Sequence, residues 1–185
     1  HLKYLKEKYI CNGLDKNIEM LKIAEKKLPG IGLMHQDMLK RIEGRYDIII
    51  SMFSSIAYVQ SYSAFRTVAC NISDALKPGG MLIIQPWFES GAFEPGVYQR
   101  NIEIRSDLSI LRLMKSSIEG ICSILEYHYL INESGKIHYI KDEHSMALFS
   151  NEKLIEILGW NKIETQFIPP KEAKGRGLLI GRKVE

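Results

Sequence analysis

Hydrophobic rhythm divides the chain into two regions. Up to about residue 88, stretches with helical spacing alternate with short apolar runs; beyond it, polar and apolar residues alternate in strand-like segments. Leu2, Leu5 and Tyr9 predict the end of a helix, and residues 9–14 predict a strand closing at Asp15. Asn17 is placed to cap a helix with Ile18, Leu21, Ala24 and Leu28 on one face and Pro29-Gly30 as its stop. A short strand over 31–34 leads into His35-Gln36-Asp37-Met38. The run Tyr46-Asp47-Ile48-Ile49-Ile50 has the character of a strand buried in a parallel sheet. Phe65, Val68, Ala69, Ile72 and Leu76 mark the next helix, ended by Lys77-Pro78-Gly79-Gly80 before a strand over 81–85. The order β-α-β-β-α-β predicts a parallel sheet covered on both faces.

In the second region, residues 102–105, 110–113 and 126–131 read as strands joined by polar turns such as 132–135. They lie between the fifth sheet strand and a helix over 151–158. An antiparallel insertion at about 89–145, lying over the sheet, is therefore expected instead of a separate domain. The chain closes with a strand over 165–168, a turn at Pro169-Pro170 and a last strand over 178–180. The expected architecture is one domain over 1–185: α/β, a doubly wound, mostly parallel, Rossmann-like sheet with a reversed last strand and an antiparallel β insertion.

Composition narrows the function. The 185 residues carry 25 Lys/Arg and 22 Asp/Glu, a net charge of +3 spread along the chain, with 45% hydrophobic residues. This is enough for one globular core and gives no basic block for nucleic acid or a membrane surface. No apolar run approaches the roughly 20 residues that span a bilayer. Cys11, Cys70 and Cys122 lie far apart, without paired metal or redox spacing, so a cytoplasmic setting is expected. Residue 1 is His, with neither an initiator Met nor a signal-peptide pattern, so the chain is expected to start part-way into its fold.

Ligands of open parallel sheets bind beyond the carboxyl ends of the strands, which singles out Asp15, Asp37-Met38, Ser51 to Ser55 and Pro86-Trp87-Phe88. A carboxylate at the position of Asp15 accepts hydrogen bonds from ribose hydroxyls, ~20 residues after a Gly-rich turn. Counting back places that turn just before His1; the alternative is that Asp15 only caps a helix. Gly79-Gly80 lacks the trailing Lys-Ser/Thr of a phosphate loop. Neither metal-ligand spacing nor a Gly-x-Ser-x-Gly elbow is present, which disfavours a hydrolase.

Several segments together resemble the class I S-adenosylmethionine-dependent methyltransferases. Within that class they resemble the enzymes that dimethylate the amino group of nucleotide-linked aminodeoxysugars. The segments are Gly13-Leu14-Asp15 with Met20-Leu21, His35-Gln36-Asp37-Met38, Ser51-Met52-Phe53-Ser54-Ser55-Ile56-Ala57-Tyr58, Lys77-Pro78-Gly79-Gly80, Gln85-Pro86-Trp87-Phe88, His144-Ser145-Met146-Ala147-Leu148-Phe149 and Gly175-Arg176-Gly177. The resemblance spans nearly the whole chain, which begins just past the Gly-rich cofactor motif of such families.

The resemblance implies S-adenosyl-L-methionine as cofactor. Asp15 then stands on the ribose, Asp37 on the adenine amino group, the Met38 N–H on a ring nitrogen, and Met20 and Met52 around the adenosine. Asp37 as a turn former and the methionines as core filling are the plainer alternatives. It also implies a small-molecule acceptor, a nucleotide-sugar amine.

Methyl transfer to an amine is an in-line displacement that needs an unprotonated nitrogen more than a nucleophilic residue. Among His35, His128, His138 and His144, His144 is the preferred base, with Tyr58 lining the same cleft; either can equally be structural. Trp87 and Phe88 are expected to cover the base or sugar, or else to close the core. Arg176, between two glycines, is expected to grip a diphosphate, with Lys171, Lys174 and Arg182 adding charge, unless all are solvated surface. Strand edges of the insertion allow pairing in a homodimer.

Overall fold

The computed structural model describes residues 1–171 and 176–185. Among these residues four α-helices form: α1 (Leu2–Leu5), α2 (Ile18–Lys27), α3 (Tyr62–Ala75) and α4 (Asn151–Trp160). The strands are β1 (Asn12–Asp15), β2 (Gly32–His35), β3 (Tyr46–Ser51), β4 (Leu76–Ile84), β5 (Tyr98–Ile104), β6 (Leu108–Glu119), β7 (Cys122–Glu133), β8 (Lys136–Ala147), β9 (Ile163–Ile168) and β10 (Leu178–Lys183). They pair as three sheets: β1-β2, β3-β4-β10-β9 and β5-β6-β7-β8. β1 and β2 run parallel, as do β3 and β4; β10 runs antiparallel to both β4 and β9, and β5 to β8 form an antiparallel meander. Among the described residues no helix is long and apolar enough to cross a membrane.

Local chemistry sets the helix starts. The Asn17 side chain accepts from the Glu19 and Met20 N–H groups, Ser61 from Ala64 and Ser150 from Lys153, which satisfies N–H groups that a helix leaves free at its start. The apolar stripe of α3 (Phe65, Val68, Ala69, Ile72) meets Leu82 and Ile84 of β4, Leu154, Ile157 and Leu158 of α4, Ile163 of β9 and Leu179 of β10. Each large side chain buried there contributes about 1.5–3 kcal/mol. Lys183, at the end of β10, donates to the carbonyl of Leu76 at 3.1 Å and to that of Ser73, closing the C-terminus of α3.

Four expectations shift. β1 starts at Asn12, not Tyr9, because its partner β2 begins at Gly32 opposite Asn12 and Ile10 lies fully exposed. β3 is not buried on both faces: it is the edge of its sheet, and Ile48 remains 43% exposed. Lys77 to Gly80 does not precede β4 but sits inside it, where the register jumps from Tyr46↔Leu76 to Ile48↔Met81. Gly80 is needed there, since a Cβ would stand 2.8 Å from the Lys77 carbonyl oxygen and 3.2 Å from that of Asp47. The antiparallel strands are each longer than their apolar runs, and the sequence reading did not single out β8. The β7–β8 hairpin turns through Ser134 and Gly135, both at positive φ, a two-residue geometry that twists with its strands.

Candidate active site

The first cluster gathers at the tips of β1 and β2. Parallel pairing brings Asp15 opposite His35; Gln36 N–H donates to the Asp15 carbonyl at 3.0 Å, and the His35 ring Nε2 lies 3.0 Å from the Lys16 carbonyl. Asn17, not Asp15, caps α2. The Asp15 carboxylate accepts the Asn17 N–H at 2.8 Å through one oxygen, and the other makes no hydrogen bond among the described residues. Asp37 forms the turn of its alternative reading, accepting the Leu39 N–H at 2.9 Å through Oδ1. Asn71 of α3 fixes this loop by donating to the carbonyls of Met38 and Lys40, and the Met38 side chain packs on the core. Met20 is half exposed on the first turn of α2, whereas Met52 directly follows β3. No hydrogen bond joins Met52 to the two acids among the described residues.

The second cluster lies where β4 and β3 end and the meander begins. Trp87 and Phe88 meet edge to face at 4.8 Å, and Phe93 stands 6.4 Å from each. Trp87 Nε1 donates at 2.9 Å to Ser123 Oγ, which donates to the Met146 carbonyl, so the indole is tied to β7 and β8. The Arg176 guanidinium lies 5.1 Å from the Trp87 ring and 5.9 Å from Phe88, and its Nη1 donates to Ser54 Oγ at 2.6 Å. Ser54 is fully buried and left-handed at φ 63°, as is its neighbour Phe53 at φ 53°. The Gln85 side chain accepts the Phe53 N–H and the Pro86 carbonyl accepts the Ser54 hydroxyl, which holds this uncommon backbone in place. On the other side of Arg176, Gly177 has φ +66°, and a Cβ there would come 2.6 Å from the Ile168 carbonyl oxygen.

Tyr58 follows on the 3-10 helix Ser55–Val59 and packs with Trp87, Phe93 and Tyr127 on one buried cluster. Its hydroxyl meets His144 Nδ1 at 2.5 Å, and His144 Nε2 lies 3.2 Å from Asp142 Oδ2. The Tyr127 ring stands edge-on to His144 at 5.4 Å, with the Arg112 guanidinium 5.7 Å from Tyr127. Burial pushes the Tyr58 phenol up from its ordinary value, and the nearby Tyr127 and Asp142 add to the rise; Tyr127 is likewise raised by burial.

Trp87, Phe88, Tyr58, His144 and Arg176 are thus linked by contacts in one place. The rival histidines are elsewhere: His35 at the β1–β2 tips, His128 on the opposite face of β7 with Glu126 and Tyr139, and His138 exposed. Lys171 and Arg182 are exposed and form no ion pair among the described residues; Lys174 and Gly175 lie outside them. Asp142, Ser123 and Tyr127 carry no role in the sequence reading, and Ser54 enters it only as part of the segment Ser51 to Ser55. Asp142 and His144 share a strand face by alternation, a signal available only once 136–147 is recognised as a strand.

No family model matches the sequence. The chain is 26% identical over 171 residues to the dTDP-3-amino-3,4,6-trideoxy-alpha-D-glucopyranose N,N-dimethyltransferase of Streptomyces venezuelae, covering 91% of this chain and 72% of that protein. It is 27% identical over 185 residues to the dTDP-3-amino-3,6-dideoxy-alpha-D-glucopyranose N,N-dimethyltransferase of Streptomyces fradiae, covering 98% of this chain and 72% of that protein. Its fold superposes on the sugar N-methyltransferase KedS8 of Streptoalloteichus with a TM-score of 0.91 and 25% identity, covering all of this chain and 76% of that one.

With these similarities, the chain is an S-adenosylmethionine-dependent methyltransferase, and its Rossmann-like fold is similar to that of the class I enzymes. Within that class it is similar to the N,N-dimethyltransferases of nucleotide-linked aminodeoxysugars.

Proposed function

We propose that the enzyme N-methylates an amino group on a nucleotide-linked deoxysugar. The observation that carries this reading is the linkage of Arg176, Trp87, Tyr58 and His144 around one buried cluster: a fixed cation, aromatic faces and a proton-accepting pair side by side. The relatives named above act on dTDP-linked aminosugars, whose diphosphate, rings and amine match those three features in kind.

The donor set at the β1–β2 tips suits the adenosine half of the cofactor. Asp15 keeps one carboxylate oxygen for the ribose hydroxyls, and Asp37 keeps one for the adenine amino group. The Met38 N–H, which meets no acceptor among the described residues, is left for a ring nitrogen, with Met20 and Met52 supplying apolar contact. S-adenosyl-L-methionine held there would supply an electrophilic methyl group on sulfonium sulfur.

Everything else is positioning by the chain. Arg176, stacked on Trp87 and anchored by Ser54, faces the diphosphate as a planar donor fork. Trp87 and Phe88 cover the sugar or base, and the meander of β5 to β8 walls the acceptor side as an insertion over the sheet. Orientation of this kind supplies about 7–11 kcal/mol of a barrier in well-aligned systems. Tyr58 and His144 take up the ammonium proton, because a protonated amine has no lone pair to offer.

The test is incubation of the protein, expressed from its own gene, with S-adenosylmethionine and dTDP-linked 3-amino and 4-amino deoxysugars, followed by mass spectrometry. N-methylated nucleotide sugar and S-adenosylhomocysteine are expected. Calorimetric binding of S-adenosylhomocysteine without methylation of any aminosugar would move the acceptor to another small molecule, and absence of both would remove the reading.

A further inference from the structure

A histidine that takes a proton from an amine directly needs an open ring nitrogen, and both nitrogens of His144 lie against polar partners. Nδ1 faces the Tyr58 hydroxyl at 2.5 Å and Nε2 faces the Asp142 carboxylate at 3.2 Å. We propose that Tyr58, His144 and Asp142 form a directional proton relay, in which Tyr58 meets the acceptor amine and Asp142 is the positioning residue that fixes the His144 tautomer. The inference rests on the proposed amine acceptor and adds which atom receives the proton and what holds the receiver in place.

Hydrogen-bond chemistry gives the direction. A carboxylate only accepts, and with its oxygen 3.2 Å from Nε2 it favours the neutral His144 tautomer that carries its proton there and leaves Nδ1 as an acceptor. The Tyr58 O–H must then be the donor to Nδ1, and its oxygen keeps lone pairs with which to accept from an ammonium. The phenol, kept protonated by burial, suits that part.

The strand makes the arrangement rigid. Asp142 and His144 are two residues apart on β8 and so share a face, opposite Tyr127 and Leu125 in register on β7. The groups around the ring are Tyr58 from the 3-10 helix, Tyr127 from β7 in edge contact, Asp142 from β8, and Arg112 of β6 beyond Tyr127. The relay runs outward: Tyr58 packs on the buried cluster, the His144 side chain is 35% exposed and that of Asp142 56% exposed.

In the step itself, one ammonium N–H bond breaks and its electron pair stays on nitrogen. The hydrogen joins Tyr58 Oη as the phenol's own proton passes to His144 Nδ1. The imidazolium then lies against Asp142 and releases its Nε2 proton to water, restoring the phenol and the neutral ring once the phenol and imidazole return to their starting tautomer. The net change is an ammonium made into an amine and a proton delivered to solvent.

Asp142→Asn tests the relay, with Asp142→Glu as the conservative rescue and melting temperature as the check on folding. Asparagine can offer its amide hydrogens to Nε2, so it no longer selects the tautomer that leaves Nδ1 open. The expected D142N enzyme has kcat lowered on the order of 10- to 100-fold near neutral pH, below the ~10²–10⁴-fold of a complete acid–base catalyst. Its affinity for S-adenosylhomocysteine should be unchanged. The deficit should shrink as pH rises toward the range where the free amine is deprotonated in solution, and D142E should recover most of the loss; a purely structural lesion would give a deficit independent of pH.

Nitrogen NMR of the imidazole needs no acceptor. It should show the Nε2–H tautomer in the native chain and a mixture in D142N. A native tautomer and native pH–rate profile in D142N would overturn the role of Asp142. Tyr58→Phe with unchanged kcat would overturn the entry point. If no aminosugar is methylated by the native enzyme, the proposed acceptor fails instead, and the tautomer measurement still decides whether Asp142 orders His144.

Discussion

Ser54 is the residue on which the acceptor-side cation depends. Its hydroxyl donates to the Pro86 carbonyl and accepts from Arg176, and its left-handed backbone is what aims it between the two. Ser54→Ala keeps the strained backbone and strands a buried carbonyl and a half-buried guanidinium, so a loss of about 1–3 kcal/mol is expected. Ser54→Gly, at ease at positive φ, should recover part of that stability without the hydroxyl. In both variants the KM for the acceptor should rise while affinity for S-adenosylhomocysteine holds; calorimetry, kinetics and thermal melts read the three quantities, and equal stability of the two variants would argue against backbone strain at this site. Residues whose roles follow from neighbours in sequence were legible in advance: Asn17 as a cap, Gly30 as a stop, the turn at 132–135. Ser54 was not, because its meaning lies in Arg176, which the chain supplies only near its end.

Among the elements, the β7–β8 hairpin concentrates charge on the face away from Tyr58. Glu126 bonds the His128 ring at 2.9 Å and pairs with Lys141, and these two partners hold its carboxyl down at about 2, against an ordinary 4.5. A depressed carboxyl contributes stability that is in place above its unfolded value and lost as pH falls toward its folded one. Acid should therefore weaken the hairpin between about pH 4.5 and about pH 2. Glu126→Gln removes that contribution at neutral pH, so its melting temperature should lie below the native one at neutral pH and converge with it through this window. Melts across the range check the expectation, and parallel curves would sink it. β8 escaped the sequence reading because Lys141, Asp142 and Glu143 interrupt its apolar pattern, and the acid that orders His144 was hidden with it. The register of the hairpin, once seen, accounts for both.

At the scale of the whole molecule, alternating helices and short apolar runs made the α/β class and the antiparallel segment legible, since each rests on local spacing. Sheet order was not, because pairing partners such as Leu179 and Ile84 are separated by the entire meander. That separation also sets a timetable. Consecutive strands β5 to β8 close short loops, whereas β10 must find β4 across a long one, and closing long loops raises the entropic barrier to folding. Pulse-labelled hydrogen exchange during refolding should find amides of β6 and β7 protected before those of β10; the reverse order would refute this sequence of events. Arg176 lies two residues before β10, so its grip on Trp87 and Ser54 is among the last contacts made. A chain can thus hold its hairpins and still lack a working acceptor site, and the appearance of that site in time marks the completion of folding.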